Sequence, residues 1–220
     1  MQLFVPVFYF ICKVQIFWKL ILIFLLFVSC QNATKNDALK KNVWKDYYNA
    51  TQILKTGDII TRTGNDFTSL ALRKFAKKDD TYSHIGIASV ENDSIYIYHA
   101  IGGETNPDAH LRRDPLYIFI HPNNNQGFGI FRFNLDSNQK KKLILFAKKK
   151  FFEKLPFDMD FDLNTDSSMY CAEFVGKALE SSYQNPQLFA KDTIGEIIYW
   201  APDNIFLSPN CREIKRYRYF

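Results

Sequence analysis

The sequence predicts a mixed α+β domain in which an antiparallel sheet packs against helices, and three observations support that class. Between Thr81 and Gly103, two apolar stretches flank the polar turn sequence ENDS, which is the pattern of a β-hairpin. Ser137 to Leu155 and Met169 to Glu180 instead space their apolar residues as a helix does. The chain beyond its N-terminal segment has roughly 180 residues, enough for a hydrophobic core without disulfide bonds.

Residues 1–29 are predicted to be a lipoprotein signal peptide. They contain no acidic residue and only two charges, Lys13 and Lys19, and they end in the apolar run LILIFLLFVS. That run has the length of a signal-peptide core and is short for a membrane-spanning helix. Small Ser29 directly precedes Cys30, so cleavage would leave Cys30 to carry the lipid. An uncleaved anchor and a plain secretory signal are the alternatives. All three predict export, and lipid anchoring in a bacterial cell envelope is favoured.

The remaining elements are predicted in chain order. Residues 30–42 are polar and unpatterned, which predicts a tether, and residues 43–220 form the domain. The predicted elements are a helix over 43–54, a turn over 55–58 into a strand over 59–62, a helix over 67–77, the hairpin over 81–103, strands across 116–121 and 127–135, a helix over 137–155, a loop over 156–168, the cysteine helix and a tail that closes the domain. Within the helix over 67–77, Leu70, Leu72 and Phe75 are expected to pack.

The charge of the chain argues against nucleic acid as a partner. The net charge is +5, and it falls to +3 without the two lysines of the signal segment. That excess is mild and the basic residues are scattered, whereas nucleic-acid-binding proteins concentrate them on one surface. The lysine runs at 140–142 and 148–150 are predicted to form the solvated face of a helix, with contact to anionic lipid as the alternative.

Cys171, in MYCAEFVGKALE, is the residue on which a functional prediction depends. Cys171 and Cys211 are the cysteines of the domain, so a disulfide between them, a buried structural thiol and a nucleophile are all open. Cys171 begins the predicted helix, where unpaired N–H groups and the positive end of the dipole lower a thiol pKa. That position favours reactivity. Glu173 and Glu180 are expected to point away from the apolar face of the helix.

Two histidines of the hairpin are candidate partners for Cys171. With the turn centred between Asn92 and Asp93, opposed residues have numbers that sum to 185, so His99 faces Gly86 and lies diagonally from His84. This geometry predicts that His99 orients the ring of His84 while His84 accepts the cysteine proton. A metal site built from Cys171, His84 and His99 is the alternative. No second chelating pair at short spacing supports that alternative, so neither a metal nor another cofactor is predicted.

The motifs LKTGDII, YSHIGI, HAIGG, MYCAEFVGKA and PDNIFLSPN, in this order over residues 54–214, resemble the permuted papain-like amidases of the YaeF/YiiX group. Those amidases are relatives of the NlpC-type cell-wall peptidases and of lecithin retinol acyltransferase. The resemblance implies a circularly permuted papain-like fold, with Cys171 as nucleophile, His84 as base and His99 as the third residue. Many members of the group carry Glu at the third position, whereas the acyltransferase relatives carry His. His99 therefore leaves amidase and acyltransferase chemistry both open.

The expected function is that of an envelope-anchored cysteine hydrolase that cleaves a peptide or cell-wall amide through an acyl-enzyme on Cys171. A thiol acyltransferase or esterase acting on lipid, and a non-catalytic binding lipoprotein, are the alternatives. The Cys171 N–H is the expected oxyanion donor, with a second donor from Tyr170 or from a group near Asp58. Tyr170 is a candidate substrate-binding residue, with core packing as the alternative, and Asp58 is otherwise expected to be structural.

Overall fold

The structure is a computed structural model and describes residues 43–102 and 110–219. The predicted signal peptide over residues 1–29, the lipidation site Cys30 and the tether over residues 30–42 lie outside the described residues. Within the described ranges, no helix combines the length and the hydropathy needed to cross a membrane.

The described residues form a sequence of short helices and antiparallel strands. The helices are α1 (43–53), α2 (Phe67–Arg73), α3 (Leu116–Phe119), α4 (Ser137–Phe152), α5 (Cys171–Tyr183) and α6 (Pro202–Phe206). The strands are β1 (Ile59–Gly64), β2 (His84–Glu91), β3 (Ser94–His99), β4 (Arg112–Pro115), β5 (Asn125–Phe133), β6 (Asp192–Ile194), β7 (Ile197–Tyr199) and β8 (Cys211–Arg218).

One antiparallel sheet organises the domain. Its strand order is β4-β3-β2-β1-β5-β8, and β6 and β7 form a separate hairpin. Helix α5 packs against α4 and against the sheet, and the core lies between them. The predicted α+β class, with an antiparallel sheet packed against the cysteine helix, is therefore confirmed. Its circularly permuted papain-like character stays a prediction.

The β2–β3 hairpin has the predicted register. Ile87 pairs with Tyr98, and the pairs continue to Glu91 and Ser94 at the turn. Asn92 and Asp93 occupy the turn with φ of 47° and 62°, the left-handed conformations that a two-residue hairpin turn requires and that Asn and Asp tolerate. The local sequence thus sets the register that brings the two histidines together.

Helix α5 buries the face that its spacing predicts. Four apolar side chains on this face are fully buried: Phe174, Val175, Ala178 and Leu179. The expectation for Glu173 was wrong, because its side chain is buried and lies 2.8 Å from the Lys177 amine. Burial raises the pKa of Glu173 to about 7, against the opposing effect of Lys177. Its carboxylate also accepts a hydrogen bond from the Tyr170 N–H at 3.2 Å, which fixes the start of α5.

Helix α4 carries the two lysine runs. Asp136 caps the helix by accepting a hydrogen bond from the Gln139 N–H at 2.8 Å. Lys141 and Lys149 are exposed, as a solvated helix face requires. Lys148 instead lies 3.2 Å from Glu91 of β2, so part of the second run links the helix to the sheet.

Two predicted elements are wrong. The predicted strand across residues 116–121 begins with helix α3, where Leu116 and Phe119 are buried and Tyr117 between them is exposed. That spacing of three suits a helical turn rather than a strand. Helix α2 ends at Arg73 instead of continuing to residue 77, and none of its residues is buried in the core. Leu70 is 54% exposed, so its expected packing is also wrong.

The C-terminal tail, which contains α6 and β8, contributes a strand to the main sheet and a buried carboxylate that holds another segment. Strand β8 pairs with β5 and forms one edge of the main sheet. Half of its side chains are exposed. The buried Asp203 carboxylate in the first turn of α6 accepts hydrogen bonds from the N–H groups of Lys77 and Lys78 at 3.0 and 2.8 Å. The tail thereby fixes the segment that follows α2.

Candidate active site

A cavity of about 510 Å³ opens where the first residue of β2 and the first residue of α5 meet. Cys171 and His84 both line it, each with 8% of its surface exposed. A small molecule in the cavity can therefore reach both side chains, although the protein surrounds them closely. The remaining wall is rich in aromatic rings, contributed by Phe75, Phe157, Phe161, Tyr170, Tyr199 and Trp200.

Cys171 lies at the N-terminus of α5, as predicted, but its thiol is not activated as expected. Burial raises its pKa to about 11. The backbone N–H groups of Ile85 and Ala172 and the charge of Arg62 act in the opposite direction and are outweighed. The expected lowering of the pKa was therefore wrong, because desolvation exceeds the effect of the helix end. The resting sulfur is a neutral thiol at neutral pH.

Cys171 and Cys211 are both free thiols, so the disulfide alternative is not present. Cys211 begins β8 and lines a different cavity, together with Asp58 and Arg132. Burial raises the pKa of Cys211 to about 12. Cys211 has no part in the cavity beside Cys171.

A chain of hydrogen-bonded side chains holds His84. Its Nε2 lies 2.8 Å from Nδ1 of His99, and the two rings meet edge to face with centroids 4.9 Å apart. Nε2 of His99 lies 3.1 Å from Oδ2 of Asp114. The structure thus brings the two predicted histidines together and adds a carboxylate that the sequence analysis missed.

Asp114 fixes the tautomers along this chain. Burial disfavours its ionisation, but hydrogen bonds from His99 and Arg112 hold the pKa of the Asp114 carboxyl below its usual range. As an anion it accepts the proton on Nε2 of His99, so Nδ1 of His99 must accept from Nε2–H of His84. That assignment leaves Nδ1 of His84 with a free lone pair, which is the form that a general base needs.

Both imidazoles are neutral in the resting site. Burial, with further contributions from Arg62 and His99, lowers the pKa of His84 well below its usual range. Burial also lowers the pKa of His99 to about 4, although Asp114 opposes the shift. The Phe119 ring packs against both imidazoles, with centroids 5.6 and 5.0 Å away. The cavity is therefore lined by a neutral thiol and a neutral imidazole at rest, rather than by a thiolate and an imidazolium.

Tyr170 and Asp58 have clear structural roles. Tyr170 is buried, and its hydroxyl oxygen accepts a hydrogen bond from the Trp200 N–H at 2.8 Å. It also lines the cavity, so its predicted contact with substrate stays a prediction. Asp58 lies in the turn before β1, where its carboxylate binds the Arg132 guanidinium at 2.6 Å. It does not line the cavity of Cys171, so a second oxyanion donor near Asp58 is not supported.

Two residues of the site were missed by the sequence analysis. Asp114 lies on β4, which pairs with β3 so that Arg112 is opposite His99 and Asp114 lies two residues further along the strand. Arg62 lies on β1 directly opposite His84 and lines the same cavity. A charged residue inside an apolar strand, as in IITR, is a weak signal for Arg62. The RRDP segment gives no comparable signal for Asp114. No short turn joins β4 to β3, so the sequence does not indicate that β4 pairs with β3.

The metal alternative does not fit the side chains of the described residues. No group of three His, Cys, Asp or Glu side chains within residues 43–102 and 110–219 is placed to hold a metal ion. Two imidazole nitrogens bound tetrahedrally to one zinc ion, at about 2.0–2.1 Å each, would lie roughly 3.4 Å apart. The nitrogens of His84 and His99 are 2.8 Å apart, the distance of a direct hydrogen bond.

Comparison with known proteins shows the fold. No family model and no curated protein matches the sequence. Among solved structures, the chain is similar to the crystal structure of metalloprotein yiiX from Escherichia coli O157:H7 (DUF1105), with a TM-score of 0.61 and 20% sequence identity. The match covers 74% of this chain and 98% of the other. At this identity the likeness extends to the fold alone, and the domain therefore has a YiiX-like α+β fold.

Proposed function

We propose that the protein is a cysteine hydrolase that cleaves an amide bond through an acyl-enzyme on Cys171. The observation that carries this proposal is the shared cavity of Cys171 and His84, with His84 held in its basic tautomer by His99 and Asp114. A nucleophile, a base and an orienting chain are the parts that such catalysis needs.

The proposed reaction begins from the neutral pair. The Cys171 sulfur attacks the carbonyl carbon while its proton passes to Nδ1 of His84, and the Cys171 N–H at the start of α5 binds the oxyanion. Collapse of the tetrahedral intermediate breaks the C–N bond, and His84 gives its proton to the departing amine. Water then attacks the thioester with His84 as base, which releases the carboxylic acid and restores the thiol.

A thiol acyltransferase or esterase acting on lipid is the second candidate, favoured by the aromatic wall of the cavity. Such a wall suits an acyl chain as well as an apolar peptide side chain. The two candidates share the acyl-enzyme and differ in the donor and in the final acceptor. A non-catalytic binding lipoprotein is the third candidate, and in it Cys171 would form no acyl adduct.

Trapping the acyl-enzyme tests the proposal. The purified domain is mixed with acylated peptides carrying a fluorogenic amide, and separately with phospholipid vesicles, and adducts are located by peptide mass spectrometry. We expect release of free amine and a hydroxylamine-labile acyl group on Cys171. Cys171→Ala and His84→Gln should abolish both signals, whereas the matched variant Cys211→Ala should retain them.

The outcomes separate the candidates. Acyl transfer from lipid without amine release from any peptide would favour the acyltransferase. Amine release that survives Cys171→Ala would refute the proposed nucleophile. No adduct from any amide or ester donor would leave only the binding protein.

Envelope anchoring is part of the proposal and rests on the sequence of residues 1–30 alone. Cells that express the full chain and are grown with labelled palmitate should incorporate label into the protein, and Cys30→Ala should remove the label. Label retained by Cys30→Ala would contradict lipidation at this residue.

A further inference from the structure

Arg62 brings a positive charge to the cavity beside Cys171. It pairs with His84 across β1 and β2 and contributes to the cavity wall. Its Nη1 donates a hydrogen bond to the Phe119 carbonyl oxygen at 3.3 Å, and its guanidinium carbon lies 5.0 Å from the centre of the Phe119 ring. These contacts hold the guanidinium in place next to the proposed nucleophile and base.

The Arg62 guanidinium has no counter-ion among the described residues. The nearby Asp114 carboxylate is engaged by His99 and Arg112, at 3.1 and 2.8 Å. The Asp66 carboxylate accepts hydrogen bonds from both the N–H and the hydroxyl of Ser69. Neither carboxylate forms an ion pair with Arg62.

The hydrogen-bonding capacity of Arg62 is also incompletely used. Its Nε is buried and has no hydrogen-bond partner among the described residues. A partly buried guanidinium with an unused buried donor has lost solvation that a bound anion would replace. A guanidinium offers its N–H groups in a fork that matches a carboxylate.

We propose that Arg62 binds a carboxylate that lies close to the scissile carbonyl of the substrate. This inference rests on the proposed function, because it takes Cys171 as the nucleophile. The substrate class is then an acyl compound with two parts, a carboxylate held by Arg62 and an apolar group against rings such as Phe161 and Trp200.

A pair of alkylating probes tests the charge preference without knowledge of the substrate. With both iodoacetate and iodoacetamide, the thiolate attacks the CH₂ carbon and iodide leaves. The two reagents differ only in the neighbouring group, which is a carboxylate in iodoacetate and a neutral amide in iodoacetamide. Both rates depend on the same thiolate fraction, so their ratio is insensitive to the thiol pKa. The ratio is measured at pH 9 on Cys171, on Cys211 of the same chain and on free cysteine.

We expect the ratio of the iodoacetate rate to the iodoacetamide rate to be about ten-fold higher at Cys171 than at free cysteine, the effect of one charge-assisted hydrogen bond. Arg62→Gln should bring the ratio back to that of free cysteine, and Arg62→Lys should retain part of the preference. Asp66→Asn should raise the ratio, because it removes a negative charge near Arg62 while Asn still caps α2. Cys211 lies in a different cavity, so its ratio should stay the same in every Arg62 and Asp66 variant.

Each result decides between defined possibilities. A wild-type ratio equal to that of free cysteine overturns the inference, even if Arg62→Gln fails to fold. Equal slowing of both probes in Arg62→Gln also overturns it, since Arg62 would then act on the thiolate alone. Absence of any acyl adduct on Cys171 in the acyl-enzyme experiment overturns the proposed function instead, and with it the basis of this inference.

Discussion

At the scale of single residues, Asp114 determines which nitrogen of His84 is available as a base. A neutral third residue such as His99 could by itself hold either tautomer of His84, because imidazole can donate or accept. The Asp114 carboxylate can only accept while it is ionised, so it sets the direction of both hydrogen bonds in the chain. The site therefore contains a carboxylate, but that carboxylate is bound to His99 and not directly to His84.

Asp114→Asn is therefore expected to lower kcat/KM by about two orders of magnitude, the range of general-base contributions. The Asn amide can donate to Nε2 of His99, which reverses the chain and places a proton on Nδ1 of His84. Imidazole ¹⁵N NMR should show this change of tautomer directly. Arg112→Gln is the matched control, because Arg112 binds the other oxygen of Asp114 and its side chain is half exposed. Unchanged tautomers in Asp114→Asn would contradict this role.

The sequence predicted Cys171, His84 and His99 but neither Asp114 nor Arg62. The two histidines are joined by a two-residue turn, so their separation follows from counting residues along the hairpin. Asp114 reaches His99 through β4, which begins at Arg112 and is not contiguous with β3 along the chain, and Arg62 reaches His84 across the segment that contains α2. No local rule fixes the register of either pairing.

At the scale of secondary-structure elements, Gly86 allows the hairpin to present both histidines. A Cβ at position 86 would lie 2.7 Å from Cγ2 of Ile97, 2.9 Å from the Tyr98 carbonyl oxygen and 3.1 Å from Cβ of His99. The backbone oxygen cannot rotate away as a side chain could. The absence of a side chain at Gly86 therefore allows the close packing of β2 against β3.

Gly86→Ala is expected to lower the free energy of unfolding by about 1–3 kcal/mol, the usual cost of overpacking a core position. It should also reduce acyl-enzyme formation, because His99 must shift away from His84. Urea denaturation and the acyl-trapping assay would measure the two effects. Val90→Ala, at a partly exposed position of the same strand, is the control and should change both quantities less. Full activity in Gly86→Ala would contradict the need for close contact of the histidines.

Elements defined by local pattern were predicted well, and those defined by distant partners were not. Helix α5 and the β2–β3 hairpin follow from spacing and turn residues alone. Helix α3 has an apolar sequence that suits a strand equally well, and its burial at every third residue depends on what surrounds it. Strand β8 is polar on most of its length, because an edge strand with one exposed side needs little apolar surface.

At the scale of the whole molecule, buried ionisable groups make stability depend on pH in opposing senses. The pKa of His99 is about 4 in the folded state and about 6.5 in the unfolded state. The contribution of His99 to the free energy of unfolding is therefore fully present above pH 6.5 and is lost as the pH falls toward 4. His84 acts in the same sense. Glu173, with its pKa raised to about 7, stabilises the folded state at acid pH, and that contribution is lost as the pH rises toward 7.

Variants should separate these contributions. Glu173→Gln removes the carboxyl group that stabilises the folded state at acid pH. As the pH falls from 6.5 to 4.5, the free energy of unfolding of this variant should therefore fall more steeply than that of the wild type. His99→Gln should fall less steeply, with up to roughly 3 kcal/mol of the pH-dependent change removed. Urea titrations at several pH values would measure the slopes, and the slope is informative even where a variant is less stable overall. Equal slopes in His99→Gln and the wild type would contradict a buried neutral His99.

The sequence by itself determined the α+β class, the register of the hairpin, and the positions of Cys171, His84 and His99 on their elements. Each of these follows from the periodicity of side chains along one helix or one hairpin, which is a local property. Only the tertiary structure decided that Cys171 is a neutral thiol, that Asp114 orders the histidines and that Arg62 enters the cavity. Desolvation and charge pairing depend on which surfaces meet, and those surfaces come from segments far apart in the chain.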